Sequence, residues 1–342
     1  MNPNSNSVKQ THEGANEVGG RPLILRSLCI GLDIAWFGGS KSDPDSWFDC
    51  IASMEIGGID LPRLNLERVA LGKERDPDSK QTLEAISALI QQYPFADEIV
   101  FAIDAPLQAT DRGLKQRLPN YPKGEKGSVV RRACENVLEA GRQQIDKSVS
   151  VTKGWKPNIQ PGAPLAPRVE RLLDGLKKLD FDVWEPRESK SSRLAIECFP
   201  AEAIWSAKCL GGYRESLTVS CAKAYKDQKG NSLSKAQVEA LMKDSLFGFS
   251  KTFGEDEFWE SAVSEAIQWI LIDTTWQRSA NGLFRGGKLL DDVVDTMICL
   301  ATSISFVKGS AHVWFDPAKA DDGHIIGPGF RANSHWRFPE FG

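Results

Sequence analysis

The sequence predicts an α/β fold: a mixed five-stranded sheet with helices on its faces and a helical insertion between the fourth and fifth strands. Three observations predict it. The first three β-like segments are joined by short turns, as in an antiparallel meander. The later ones are reached through helical segments, which favours parallel neighbours. Between the fourth and fifth lies a long basic stretch punctuated by Pro and Gly, unlike the apolar runs around it.

Met1 to Gly20 is polar and rich in Asn, Ser and Gly. With no apolar core segment it does not read as a secretory signal, and we expect residues 1–22 to form a disordered leader. Ser27 to Ile34 is a run of β-formers with a single charge, Asp33, and reads as a buried first strand. Gly38, Gly39 and Asp43-Pro44 mark a turn. Ser46 to Ile56 and Asn65 to Leu71 are the second and third strands. A helix follows, with Ser79 as its expected N-cap and Leu83, Ile86, Leu89 and Ile90 at helical spacing. Glu98 to Ile103 is the fourth strand and runs into Asp104-Ala105-Pro106.

Residues 107–190 read as the insertion or cap, with helices expected over Ser128 to Lys147 and Pro167 to Leu179. Ser192 to Phe199 is the fifth strand. Helices follow from Pro200, over Ser234 to Phe247 and over Glu257 to Trp276, so residues 208–284 read as a second, helical insertion. Lys288 to Val307 is a strongly apolar helix carrying Asp291, Asp292 and Asp295. The organisation expected is one domain over residues 23–330 with a tail at 331–342.

Composition narrows the chemistry. The net charge of −4 does not mark a nucleic-acid binder. Its distribution is uneven, because the segment from Ala105 to Arg193 is basic while the remainder is acidic, as for a face that meets a polyanion. The seven cysteines are scattered with no C-x-x-C, which argues against a disulfide framework or a zinc site. Cys299 reads as packing. Only four histidines are present, and His324 is expected in a surface turn at "DDGH". Trp259, Trp269 and Trp276 are expected to pack helices rather than stack on bases. No G-x-x-x-x-G-K-[ST] occurs, which disfavours a P-loop hydrolase. No apolar window approaches the roughly 20 residues of a spanning helix, so the default location is cytoplasmic.

Carboxylates remain as the candidate chemistry. Asp33, Asp104 and Glu197 lie at or near the ends of strands one, four and five. Asp292 and Asp295 share a face of the last apolar helix, three residues apart. If those strands are neighbours, the acids converge at one edge, where open α/β sheets bind ligands. Clustered carboxylates repel one another unless a cation neutralises them. An all-oxygen set favours Mg2+ or Mn2+ over zinc. Two such ions about 4 Å apart form the clamp used in phosphodiester hydrolysis.

"GLDIAWFGG", "FAIDAPL", "IECFPAEAIW", "DDVVDTMICLA" and "DGHIIGP" resemble, in that order, the motifs of a family of predicted nucleases, domain of unknown function 429, to which an RNase H-like fold is assigned. The resemblance spans Leu28 to Pro328 but gives no motif for Lys208 to Phe284. It implies a metal-dependent nuclease with Asp33 as central ligand, Asp104, Asp292 and Asp295 as further ligands, and Glu197 at a family position. The helix-acid spacing is similar to that of RuvC-type resolvases. The resemblance also implies that arginines of the first insertion meet phosphate, so Arg112, Arg131 and Arg132 are the expected substrate-binding residues and DNA or RNA the expected partner. Two other readings remain open: a non-catalytic scaffold of the same fold, and phosphoryl transfer of the actin-like ATPase or kinase type.

Overall fold

A computed structural model describes residues 25–34, 48–58, 61–71, 78–107, 165–185, 191–210, 232–246, 257–272, 284–285, 287–315 and 323–328, with residues 134, 137, 138, 225, 226, 248 and 249. The expected leader, the tail and most of the first insertion lie outside these residues; of its helix expected at 128–147 only residues 134, 137 and 138 are described, and they are helical.

The meander is present as β1 (Ser27–Asp33), β2 (Phe48–Ile56) and β3 (Asn65–Ala70), paired antiparallel in sequence. Helix α1 (Lys80–Gln92) carries the chain to β4 (Glu98–Ile103), parallel to β1. After the first insertion come α2 (Leu165–Lys177), the two-residue β5 (Asp182–Val183) and β6 (Arg193–Glu197). Both β4 and β5 pair parallel with β6. The sheet order is β3-β2-β1-β4-β6-β5, six strands rather than the five expected. The extra strand is an edge of two residues, too short to leave a period in the sequence.

Among the described residues that follow, the longer elements are helices: α3 (Pro200–Leu210), α4 (Lys235–Leu246), α5 (Glu257–Ile272) and α6 (Gly287–Val307). Two small ladders join it, β7 (Ser232–Leu233) with β8 (Phe284–Arg285), and β9 (His312–Trp314) with β10 (Ile325–Gly327).

Strand alternation sorts the two layers. Leu28, Ile30 and Leu32 of β1, with Ile99, Phe101 and Ile103 of β4, face Ile86 and Leu89 of α1 and Val169, Leu172 and Leu176 of α2. Residues 165–183, read within the first insertion, therefore form part of the sheet and one of its covering layers. The opposite parity, Cys29, Val100 and Ala102, packs in a larger core with α3 to α6. Trp259 is buried there, its indole N–H donating to the Leu246 carbonyl at 3.1 Å.

The central helix α6 lies against β1, β2 and β4. Gly31 pairs in register with Ala52 on one side and Ala102 on the other. This row of minimal side chains crosses three strands beneath the helix. A Cβ on Gly31 would fall 2.4 Å from both the Leu300 amide nitrogen and the Thr296 carbonyl oxygen. Hydroxyls pin the contact: Thr296 Oγ1 donates to the Cys50 carbonyl at 3.2 Å, and Ser303 Oγ to the Val100 carbonyl at 2.7 Å.

A buried ion pair braces the other layer. Arg168 of α2 forks onto Asp49 of β2, with Nη1 to Oδ1 at 2.7 Å and Nη2 to Oδ2. Thr82 of α1 donates to the same carboxylate at 2.6 Å. Ser79 stands at the expected cap position but has a left-handed backbone, φ 55°, and makes no side-chain cap. Its hydroxyl donates instead to the Arg168 carbonyl at 3.2 Å.

Removing one partner of such a pair strands the other charge. Arg168→Met is expected to lower stability by about 3–5 kcal/mol, read from the urea midpoint. The double variant Asp49→Leu/Arg168→Met is expected to recover most of that loss.

Candidate metal centre

The alternation that buries β1 sets Asp33 on the same face as Cys29 and Gly31, the face that α6 covers. On β4 the parity of Val100 and Ala102 continues to Asp104, just past the strand end. The Asp104 amide donates to the Leu32 carbonyl at 2.9 Å, which extends the β1–β4 pairing to the acids themselves. Because α6 lies so close at Gly31, Asp295 comes down over the ends of these two strands. One carboxylate oxygen from each of Asp33, Asp104 and Asp295 lies within 4.8 Å of the others. Asp33 and Asp295 are buried and Asp104 is half-buried.

Five acids were expected at this edge. Asp292 is buried but does not belong to the three-carboxylate group; its field acts on the Cys50 thiol, and its carbonyl accepts from Thr296 Oγ1 at 2.7 Å. Asp291, four residues from Asp295, repels charge on Asp104. Glu197 has the parity of Ala195, opposite to that of Asp33. Its Oε2 accepts the Leu107 amide at 3.0 Å, which anchors the loop that follows Asp104. Arg112, Arg131 and Arg132 lie outside the described residues.

Two residues had no sequence signal as site members. The Tyr225 hydroxyl donates to Asp295 Oδ1 at 2.5 Å, and Lys226 Nζ donates to Asp295 Oδ2 at 2.6 Å. Lys226 Nζ is also 3.9 Å from Asp291 Oδ1. Both come from the second insertion, read from sequence only as helical. His324 is corrected as well: it is buried, its ring 5.8 Å from Trp184 and 5.7 Å from Phe315, not in a surface turn.

Electrostatics express the crowding. Burial, then the Asp295 charge, pushes the Asp104 carboxyl up to about 8, with Asp291 and Glu197 adding and Lys226 opposing. Burial also raises Asp295, while Lys226 and Tyr225 pull it back. Burial alone would lower Lys226, but Asp295, Asp291 and Asp104 hold its ammonium above the ordinary lysine value. Cys29, Cys50, Cys134, Cys198 and Cys299 are buried and in no disulfide, and burial pushes Cys29 up to about 12.

The donor set suits a hard divalent cation. It is all oxygen, it comes from three separate elements, and its members disfavour one another's charge. Asp33, Asp104 and Asp295 would hold such an ion.

Comparison with known proteins places the chain. The model of a family described as protein of unknown function (DUF429) matches residues 58–320. The chain belongs to this family. No curated protein and no solved structure matches it. The matched span contains Asp104, Glu197, Lys226 and the acids of α6, while Asp33 lies before it. No helix among the described residues is long and apolar enough to cross a membrane.

The raised Asp104 carboxyl sets a pH dependence. Its native value near 8 lies above the ordinary 3.8. Between those values the folded chain holds a proton that the unfolded chain has released, so stability falls as pH rises. In chelator, the melting temperature is expected to drop between about pH 5 and pH 8. Asp104→Asn is expected to flatten that profile. Thermal melts across the range check both.

Proposed function

We propose that this protein is a divalent-cation-dependent nuclease of RNase H-like architecture that hydrolyses phosphodiester bonds in DNA or RNA. One observation carries the reading: Asp33, Asp104 and Asp295, from two parallel neighbouring strands and the helix laid across them, bring carboxylate oxygens within 4.8 Å of one another. Mg2+ or Mn2+ bound there supplies Lewis-acid polarisation of a phosphoryl oxygen and a water of lowered pKa.

The chain's own residues supply the rest. Asp33 is the fixed point, because β1 is held by β2 on one side and β4 on the other. Glu197 holds the backbone after Asp104 through the Leu107 amide. Tyr225 and Lys226 fix both oxygens of Asp295. The basic segment between β4 and β6 is the proposed route for the phosphate backbone, with Arg112, Arg131 and Arg132 as its proposed contacts.

A second reading has one observation in its favour. Lys226 already provides a positive charge to Asp295, which suits a non-catalytic scaffold whose acids need no ion. The two readings part on cation binding. Calorimetric titration of Mn2+ into the native protein is expected to give binding at micromolar to millimolar levels. Asp33→Asn is expected to abolish it while leaving the circular dichroism spectrum unchanged. Cleavage of single-stranded, duplex and branched DNA and of RNA, with Mg2+ or Mn2+, is expected for the native chain alone. A native protein that binds no cation and cuts none of these substrates contradicts the nuclease reading and favours the scaffold.

A further inference from the structure

The carboxylates at this edge exceed what one cation needs. The oxygens of Asp33, Asp104 and Asp295, within 4.8 Å of one another, are the ones that would surround one ion, which at Mg2+ size keeps its oxygens at about 2.0–2.1 Å. A second ion of a two-metal site stands about 4 Å from the first and takes shared or additional carboxylate ligands. Asp291 is the neighbouring acid on the same helix, one turn before Asp295, and its field reaches Asp104. The ground between Asp291 and Asp295 is taken. Lys226 Nζ stands there, 2.6 Å from Asp295 Oδ2 and 3.9 Å from Asp291 Oδ1.

We infer that Lys226 occupies the place of the second cation, so that the centre works with one divalent ion and one ammonium rather than with two ions. This inference rests on the reading of Asp33, Asp104 and Asp295 as a cation site. Lys226 is a positioning residue in this scheme: it fixes Asp295 and answers the charge of Asp291. A lysine suits the task because its ammonium is a compact point charge on a flexible stem, close in function to a small cation. The geometry also explains why the Lys226 stem is mostly covered, with 28% of the side chain exposed. Tyr225, its chain neighbour, is fully buried and takes the other oxygen of Asp295, so the pair is delivered as a unit. The second insertion thereby has a role: it carries a built-in charge to the sheet edge, 69 residues before its partner. Substrate consequences follow from the charge. A single ion with a fixed ammonium beside it presents an asymmetric site to a phosphodiester, with one side exchangeable and one permanent.

The test counts ions. Mn2+ is titrated into the full chain, with bound ion followed by calorimetry and free ion by electron paramagnetic resonance. The native protein is expected to bind one ion, and Lys226→Met two, because the vacated position between Asp291 and Asp295 then accepts a cation. Lys226→Arg keeps the charge and is expected to bind one. Where Lys226→Met fails to fold, Lys226→Gln, which still donates to Asp295, takes its place with the same expectation of two. Two ions on the native protein overturn the inference and leave the cation site standing. One ion on a folded Lys226→Met protein also overturns it, as does a native protein that binds none while Lys226→Met binds one. No ion on any variant rejects the underlying cation site itself.

Discussion

The backbone of α6 rests on β1 at Gly31, and the acidic edge depends on that contact. A methyl group at position 31 would meet the helix backbone at 2.4 Å, closer than any atoms tolerate without a shift. The neighbours in register, Ala52 and Ala102, keep the same lane clear across β2 and β4. With the helix this low, its second and third turns hang over the ends of β1 and β4. Asp295 then has no direction to take but toward Asp33 and Asp104. The helix gains no solvent face in exchange: Leu290, Val293, Val294, Met297 and Ile298 are fully buried. Its acids are thus carried into the interior by apolar burial that more than offsets their own desolvation.

The two faces of the sheet divide the labour. On the α1–α2 side the charge is closed: Asp49 and Arg168 satisfy each other in a forked pair, with Thr82 added. That arrangement braces three elements and offers nothing to a ligand. On the α6 side several carboxylates gather at one edge. Lys226 lies against Asp295 and Asp291, and a half-buried Asp104 stands beside them. Buried acids of similar sequence appearance thus have opposite roles, set by whether an arginine lies opposite. The family match and the geometry agree in scope, since the matched span takes in most of the elements that build the edge. The nuclease reading stays a proposal that the carboxylate geometry supports.

Much of the scaffold was legible. Strand β4 falls on its expected residues, and β1, β2, β3 and β6 differ only at their ends, because each is a run of β-formers bounded by turn residues. The parallel placement of β1, β4 and β6 followed from helices between them. Asp33, Asp104 and Asp295 were visible as charges inside apolar runs. What escaped was long-range. Arg168 meets Asp49 across 119 residues, and nothing near either one in sequence announces the pair. Lys226 sits in "KAYKDQKG", which has the composition of a solvated loop. His324 follows Gly323 as in a turn, yet its ring packs beside Phe315 and beside Trp184, which is far away in sequence. On α6 the i, i+3 spacing singled out Asp292 with Asp295, and the field of Asp291 also acts on Asp104. Spacing alone does not choose between two adjacent acids on a helix buried on nearly every side.

The central claim is that the ends of β1 and β4 and the third turn of α6 form a cation site. A crystal of the protein soaked in Mn2+, with diffraction recorded near the manganese absorption edge, tests it most directly. The account predicts an anomalous peak bounded by oxygens of Asp33, Asp104 and Asp295, with Lys226 still on Asp295. A map with no peak there at saturating Mn2+, or with the ion held only by surface acids elsewhere, contradicts it.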